Sequence, residues 1–177
     1  MGGSGSAASD SHLSEDILQT IIALVGIALF IAAAYSDVKT FRIPNVLVAA
    51  VALLAVTRLI VIGNPSSALY TVGASVALLV VGFVAFWQGF IGAGDAKLIT
   101  AAALLVGYHD LFSFLVLMGT CGALISLAAL AIHRFLPLYA GPRLAASLPK
   151  ARLAVPYGVA IATAGSMTLL FQSSLIG

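Results

Sequence analysis

Charge is what this sequence has least of. Of 177 residues six are acidic and eight are Lys or Arg, 8% together, against 62% apolar residues and a mean hydropathy of +1.15. A chain so poor in charge cannot clothe a water-soluble globule, and the shortage excludes a nucleic-acid module with a basic face. Cysteine is almost absent too: Cys121 stands alone in an apolar stretch, which excludes an intrachain disulfide scaffold and a zinc knuckle. What is present instead is a series of apolar stretches near the length that crosses a hydrocarbon core of ~30 Å as helix, spread along the chain with no room for a separate soluble domain. The expected fold is all-α and polytopic.

Residues 1–16 are Gly/Ser-rich at their start and read as a flexible tail of the kind appended as a linker. Ser14, followed by Glu15 and Asp16, supplies a helix start with a capping hydroxyl and two acids at the positive end of the dipole. The membrane domain is then residues 17–177, with six expected spans: Ile17 to Tyr35, Val46 to Ile62, Ala68 to Phe86, Ala96 to Gly107, Leu111 to His133 and Val155 to Phe171. The fourth is short enough to reach only part-way. Small residues spaced four apart, Gly73 with Ala77, Gly119 with Ala123 and Gly158 with Ala162, suit close helix packing.

The basic residues order these spans. Lys39 and Arg42 fall in the first connection, Lys97 in the third, and Arg134, Arg143, Lys150 and Arg152 in the fifth. Seven of the eight thus share odd-numbered loops. Arg58 alone lies near the other end, at helix two, where it is expected to snorkel outward. The positive-inside rule puts the odd loops in the cytoplasm and both termini outside. The connection from Arg134 to Ala154, with Pro137, Pro142 and Pro149, is expected to lie along the inner surface against anionic lipid. Trp87 and the tyrosines suit interfacial belts, and His109 and His133, at opposite ends of helix five, cannot share a metal.

Among the acids, Asp10, Glu15 and Asp16 belong to the tail or first turn and Asp110 to an outer turn. Asp37 and Asp95 remain, each beside an apolar span at the same membrane level. Ionisable groups at a bilayer edge are costly and mark functional sites. Asp95 closes the run Gly92-Ala93-Gly94-Asp95 and is followed by Ala96-Lys97-Leu98; the run lacks the endings of a nucleotide-binding loop. Asp37 precedes a short basic stretch that ends in Ile43-Pro44-Asn45, where Pro44 and Asn45 suit the start of helix two.

These runs, with Val155-Pro156-Tyr157-Gly158 at the last helix, resemble the type IV prepilin peptidases, membrane aspartic proteases with a Gly-x-Gly-Asp motif. The resemblance covers about Tyr35 to Gly158 and is to the short form that serves tight-adherence pili. It implies an endopeptidase of the bacterial inner membrane that removes the leader of prepilins or pseudopilins at the cytoplasmic face, just before the pilin's hydrophobic helix. Asp37 and Asp95 are the implied catalytic pair, working without metal or organic cofactor. Gly92, Gly94, Pro156, Tyr157 and Gly158 are the implied substrate-binding residues, and Pro44, Asn45 and Lys97 complete the motifs. The larger members carry paired Cys-x-x-Cys motifs and methylate the new N-terminus; this chain has only Cys121, so methyl transfer is not expected.

Two other readings remain open at this stage. A small proton- or cation-coupled transporter would place its carboxylates near the bilayer midplane on broken helices, with an internal repeat. A noncatalytic membrane subunit of a pilus secretion machine would tolerate loss of both aspartates. Sequence leaves open the oligomeric state, the pilin cleaved, the separation of the carboxylates and which of them holds a proton, since a coupled pair titrates as a unit.

Overall fold

A computed structural model describes residues 4–147 and 157–174 and is helical throughout those segments, with short connections. Six helices follow in chain order: α1 Ser4–Thr40, α2 Asn45–Ile62, α3 Pro65–Trp87, α4 Ala93–Val106, α5 Leu111–Ser147 and α6 Tyr157–Ser174. Four stretches are long and apolar enough to cross a membrane, Ile17–Thr40, Asn45–Ile62, Pro65–Trp87 and Leu111–Ile132. Large apolar side chains on these helices, among them Ile31, Leu53, Val81, Phe83 and Leu124, stay exposed as lipid-facing residues do.

Each of the six expected stretches lies on a helix of its own, and the boundaries shift for local reasons. Helix begins at Ser4 rather than after Ser14, so the tail expected over residues 1–16 is helical from its fourth residue. No proline interrupts that stretch, and its last glycine is Gly5. The α3 helix starts three residues before Ala68, because Asn64 caps it by accepting from the Ser67 N–H at 3.3 Å and Pro65 takes a first-turn position. Helix α5 runs past His133 to Ser147, so the connection expected from Arg134 begins as helix. Pro137 and Pro142 each lack one N–H, but they are set among good helix formers such as Leu138, Ala140, Leu144 and Ala145. Pro149, Lys150, Arg152, Val155 and Pro156 lie outside the described residues.

The short α4 is the centre of the bundle. Its 14 residues reach ~21 Å, less than the hydrocarbon core, yet it packs against α2, α3 and α6 and buries Ala96, Leu98, Ala101, Ala102, Ala103, Leu105 and Val106. The core continues through Phe30, Val51, Ala55, Phe114, Ile161 and Leu169. Alanine dominates the α4 faces, which lets the surrounding helices come close: a side chain at Gly82 of α3 would meet Ala96 at 3.2 Å.

Two packing expectations are corrected. Gly73 and Gly119 have open space where a Cβ would stand, so neither supports a close helix crossing; of the three glycines singled out only Gly158 is tightly packed, and other tight contacts are at Gly26, Gly82 and Gly165, the last against the Phe30 ring. Four-residue spacing identifies a face but not its neighbour. Arg58 does not snorkel outward. It is half-buried and turned to the C-terminal end of α4, donating to the carbonyls of Leu105 and Val106 and, at 2.9 Å, to Gln172 Oε1. A helix end inside the bundle leaves carbonyls without partners, and a guanidinium that satisfies them gains more there than in the headgroups.

Candidate active site

At the other end of α4 four helix termini meet: the end of α1 and the starts of α2, α4 and α6. The chain leaves α1 through Phe41, which adopts a left-handed conformation (φ 50°) that is costly for a side chain of its size. This turn is held by hydroxyls. Ser36 and Thr40 both donate to the Arg42 carbonyl, at 3.0 and 3.1 Å, and the Phe41 N–H donates to the Asp37 carbonyl at 2.8 Å. The bond network fixes the last turn of α1, on which Asp37 sits, against the Ile43-Pro44-Asn45 segment that opens α2. Pro44 is extended (φ −60°, ψ 135°) and precedes the first helical residue, Asn45.

Asp37 is buried, 5% exposed. Its carboxylate faces the first turn of α6, where the Gly158 N–H donates to Oδ2 at 2.8 Å and the Val159 N–H also acts on it. The approach requires glycine: a Cβ on Gly158 would lie 2.7 Å from Asp37 Oδ2 and 2.9 Å from its Cβ and Cγ. Gly158, implied by the resemblance to bind substrate, thus backs Asp37 directly.

Asp95 occupies the third position of α4 after the capping residue Gly92, and the Gly92 N–H bonds back to its carboxylate. That is half of a capping box. A Cβ on Gly92 would fall 2.9 Å from Asp95 Oδ2, so this glycine too makes room for a carboxylate. Gly94 serves a different neighbour, lying against Ile43, whose Cβ would be 3.4 Å from a side chain there. Asp95 lies outside the four long apolar stretches, and its pKa is pushed up to about 6 by burial first and then by the negative charge of Asp37, against the pull of the Gly92 N–H. Two acids 58 residues apart in sequence are therefore brought to the same end of the bundle.

Lys97 reaches Asn45 rather than a carboxylate, with Nζ donating to Oδ1 at 3.3 Å. The contact joins the start of α4 to the start of α2 and gives both residues a fixing role that sequence spacing did not reveal. Beside Asp95 a cavity of about 330 Å³ opens between α4, α5 and α6, bounded by Ile99, Met118, Gly122, Ser126 and Tyr157. Of the residues singled out in the sequence, Asp37, Asp95, Gly92, Gly94, Tyr157, Gly158, Pro44, Asn45 and Lys97 fall at this end of the bundle; Pro156 lies outside the described residues. Among the described residues no group of three or more His, Cys, Asp or Glu side chains is arranged to hold a metal ion.

The architecture is that of a helical membrane protein with two carboxylates at one end of a buried central helix. Residues 24–127 match the type IV leader peptidase family, and the chain belongs to that family. No curated protein and no solved structure matches it. The matched segment includes both aspartates and the Gly-x-Gly-Asp run but ends before α6, so the amides that face Asp37 come from beyond it.

Proposed function

We propose that this protein is a membrane-embedded aspartic endopeptidase that removes the leader peptide from type IV prepilins or pseudopilins at the cytoplasmic face of the bacterial inner membrane. The observation that carries the reading is the placement of Asp37 and Asp95 at one end of the buried helix α4 in a chain of a leader peptidase family. Two neighbouring carboxylates resist ionising together, so the pair retains one proton where single carboxylates would hold none. One member then takes a proton from water as the oxygen attacks the scissile carbonyl carbon, and the other gives its proton to the carbonyl oxygen. The reverse transfers, a proton to the leaving nitrogen and a proton from the resulting diol, break the C–N bond and restore the pair.

The cavity beside Asp95 and the solvent-exposed backbone at Gly92 and Ala93 suit an extended substrate, with Tyr157 at the cavity wall. Six spans, with the termini outside and the catalytic end inside, follow from the distribution of Lys39, Arg42, Lys97 and Arg143. No methyl transfer accompanies cleavage. The test is incubation of the purified protein in lipid with a prepilin and a methyl donor, read by mass spectrometry of both products. The expected result is a free leader and a mature chain with an unmodified N-terminus. An uncut prepilin in the presence of folded protein overturns the assignment, and a methylated product overturns the division of activities. Single cysteines at Lys39, Lys97 and Arg143 in a Cys121→Ser background are expected to react with impermeant reagent only from the cytoplasmic side; labelling from outside intact cells overturns the orientation.

A further inference from the structure

We propose that the two aspartates have fixed roles, Asp37 being the ionised, water-activating member and Asp95 the proton donor to the scissile carbonyl, and that Gly158 is the positioning residue that sets this division. The inference rests on the peptidase reading above and goes beyond it by breaking the symmetry of the pair. The asymmetry is geometric. Asp37 has almost no exposed surface, but its carboxylate receives the Gly158 N–H at 2.8 Å and the Val159 N–H, two donors from the unsatisfied first turn of an 18-residue helix. Amides so aimed replace water around an anion, and the positive end of the α6 dipole adds to them.

Asp95 has fewer donors. It also stands in a first turn, that of α4, and is less buried than Asp37, but it receives the N–H of Gly92 alone, and its other flank is the largely apolar cavity of Ile99, Met118 and Ile161. With one amide against two, the pair's proton settles on Asp95. The remaining charged and titratable groups at this end do not reverse the order. On α4 the Lys97 ammonium is engaged by Asn45, and on α1 that of Lys39 lies over the Tyr35 ring, 5.7 Å from its centroid. Arg42, in the turn after α1, is exposed to solvent, and Tyr157, 40% exposed, opens α6.

The step balances with these roles. Asp37 carboxylate accepts a proton from water while the water oxygen bonds to the carbonyl carbon, and Asp95 passes its proton to the carbonyl oxygen, giving a neutral diol. Asp37 then protonates the amide nitrogen, Asp95 takes a proton from a diol hydroxyl, and the C–N bond breaks to yield acid and amine. Both aspartates return to their starting states.

Each single Asn variant leaves one carboxyl, so the intrinsic order can be read without cleavage. Infrared titration of the carboxyl band in lipid, with isotope-labelled aspartate, is expected to show that Asp95 in Asp37→Asn titrates at higher pH than Asp37 in Asp95→Asn, by about one unit or more. Adding Gly158→Ala to Asp95→Asn is expected to raise the Asp37 titration and shrink that gap. In the otherwise unaltered enzyme Gly158→Ala is expected to lower kcat about a hundredfold, with a smaller change in KM, and to move the acidic limb of the pH profile upward. Asp37 titrating at or above Asp95 overturns the inference even while the enzyme cleaves prepilin. The expected order in a protein that cuts no prepilin instead overturns the peptidase reading and leaves the asymmetry standing. The two Asn variants suffice for the order should Gly158→Ala fail to fold.

Discussion

The two ends of α4 solve opposite problems with similar material. At the C-terminal end every strong polar group has a partner: Arg58 donates to the carbonyls of Leu105 and Val106 and to Gln172, and Gln172 Nε2 donates in turn to the Val106 carbonyl at 2.9 Å and to Asp110. A cation, an amide and an anion from α2, α6 and the turn before α5 close a network around one helix end. At the N-terminal end two acids share one end of the bundle with backbone amides for company, and the Lys97 ammonium is spent on Asn45. Satisfied polar groups confer rigidity, while unsatisfied charge is reactive. The helix thus carries its anchor at one end and the proposed chemistry at the other.

Breaking the chemical end has the largest expected effect. Asp37→Asn and Asp95→Asn are each expected to reduce leader cleavage by at least ~10³-fold with normal insertion, and the double variant to be no worse than either, because coupled groups act as a unit. Asp95→Glu is expected to fail as well, since a displacement of about 1 Å costs on the order of a hundredfold. Single-turnover cleavage of one prepilin by all four variants, normalised to folded protein, checks this, and near-wild-type cleavage by either Asn variant rules out the dyad.

Breaking the anchored end acts on stability instead. Arg58→Met is expected to leave the α4 carbonyls and Gln172 without a donor and to cost about 1–3 kcal/mol, read as a lower unfolding midpoint in detergent, with cleavage per folded molecule retained. Asp110→Asn keeps an acceptor for Gln172 and is expected to change little. Equal loss of activity and of stability in Arg58→Met erases the distinction between the two ends.

The pH dependence sharpens the comparison further. Asp95 binds its proton more tightly in the folded protein, up to about 6 from the ordinary 3.8, so the native state holds the extra proton between those values. Through this group stability falls as pH rises across that window and is level above it. Asp95→Asn is expected to remove this slope and to unfold at a higher temperature than wild type at pH 7. A slope unchanged by Asp95→Asn assigns the titration elsewhere. The smallest effect is expected for Lys97→Met, which loses one exposed bond to Asn45 and less than ~1 kcal/mol, again by unfolding midpoint.

Much of this contrast was legible in the sequence at one end and hidden at the other. Asp37 and Asp95 stand out because a chain with six acids has few ways to hide a functional one, and glycines beside a carboxylate imply close approach. The six helices follow from long apolar runs broken by Pro, Gly and charge. Arg58 was misread because hydropathy gives depth along a helix and not direction around it; outward and inward arginines look alike until the neighbour is known. The same holds for Lys97, whose partner Asn45 is 52 residues away, and for Gly158, whose use depends on where α1 ends. The central place of α4 was also invisible, since shortness argues against a span unless other helices surround it.

That shortness has a geometric consequence. A helix of ~21 Å is shorter than a layer of ~30 Å, so the depth of Asp95 is set by where packing against α2, α3 and α6 holds α4 along the membrane normal. Helix α4 therefore works as a ruler with a fixed zero. Lengthening it by one turn moves the carboxylate ~5.4 Å along the membrane normal, and an extended substrate advances ~3.3 Å per residue, so such an insertion shifts the cut by one to two residues.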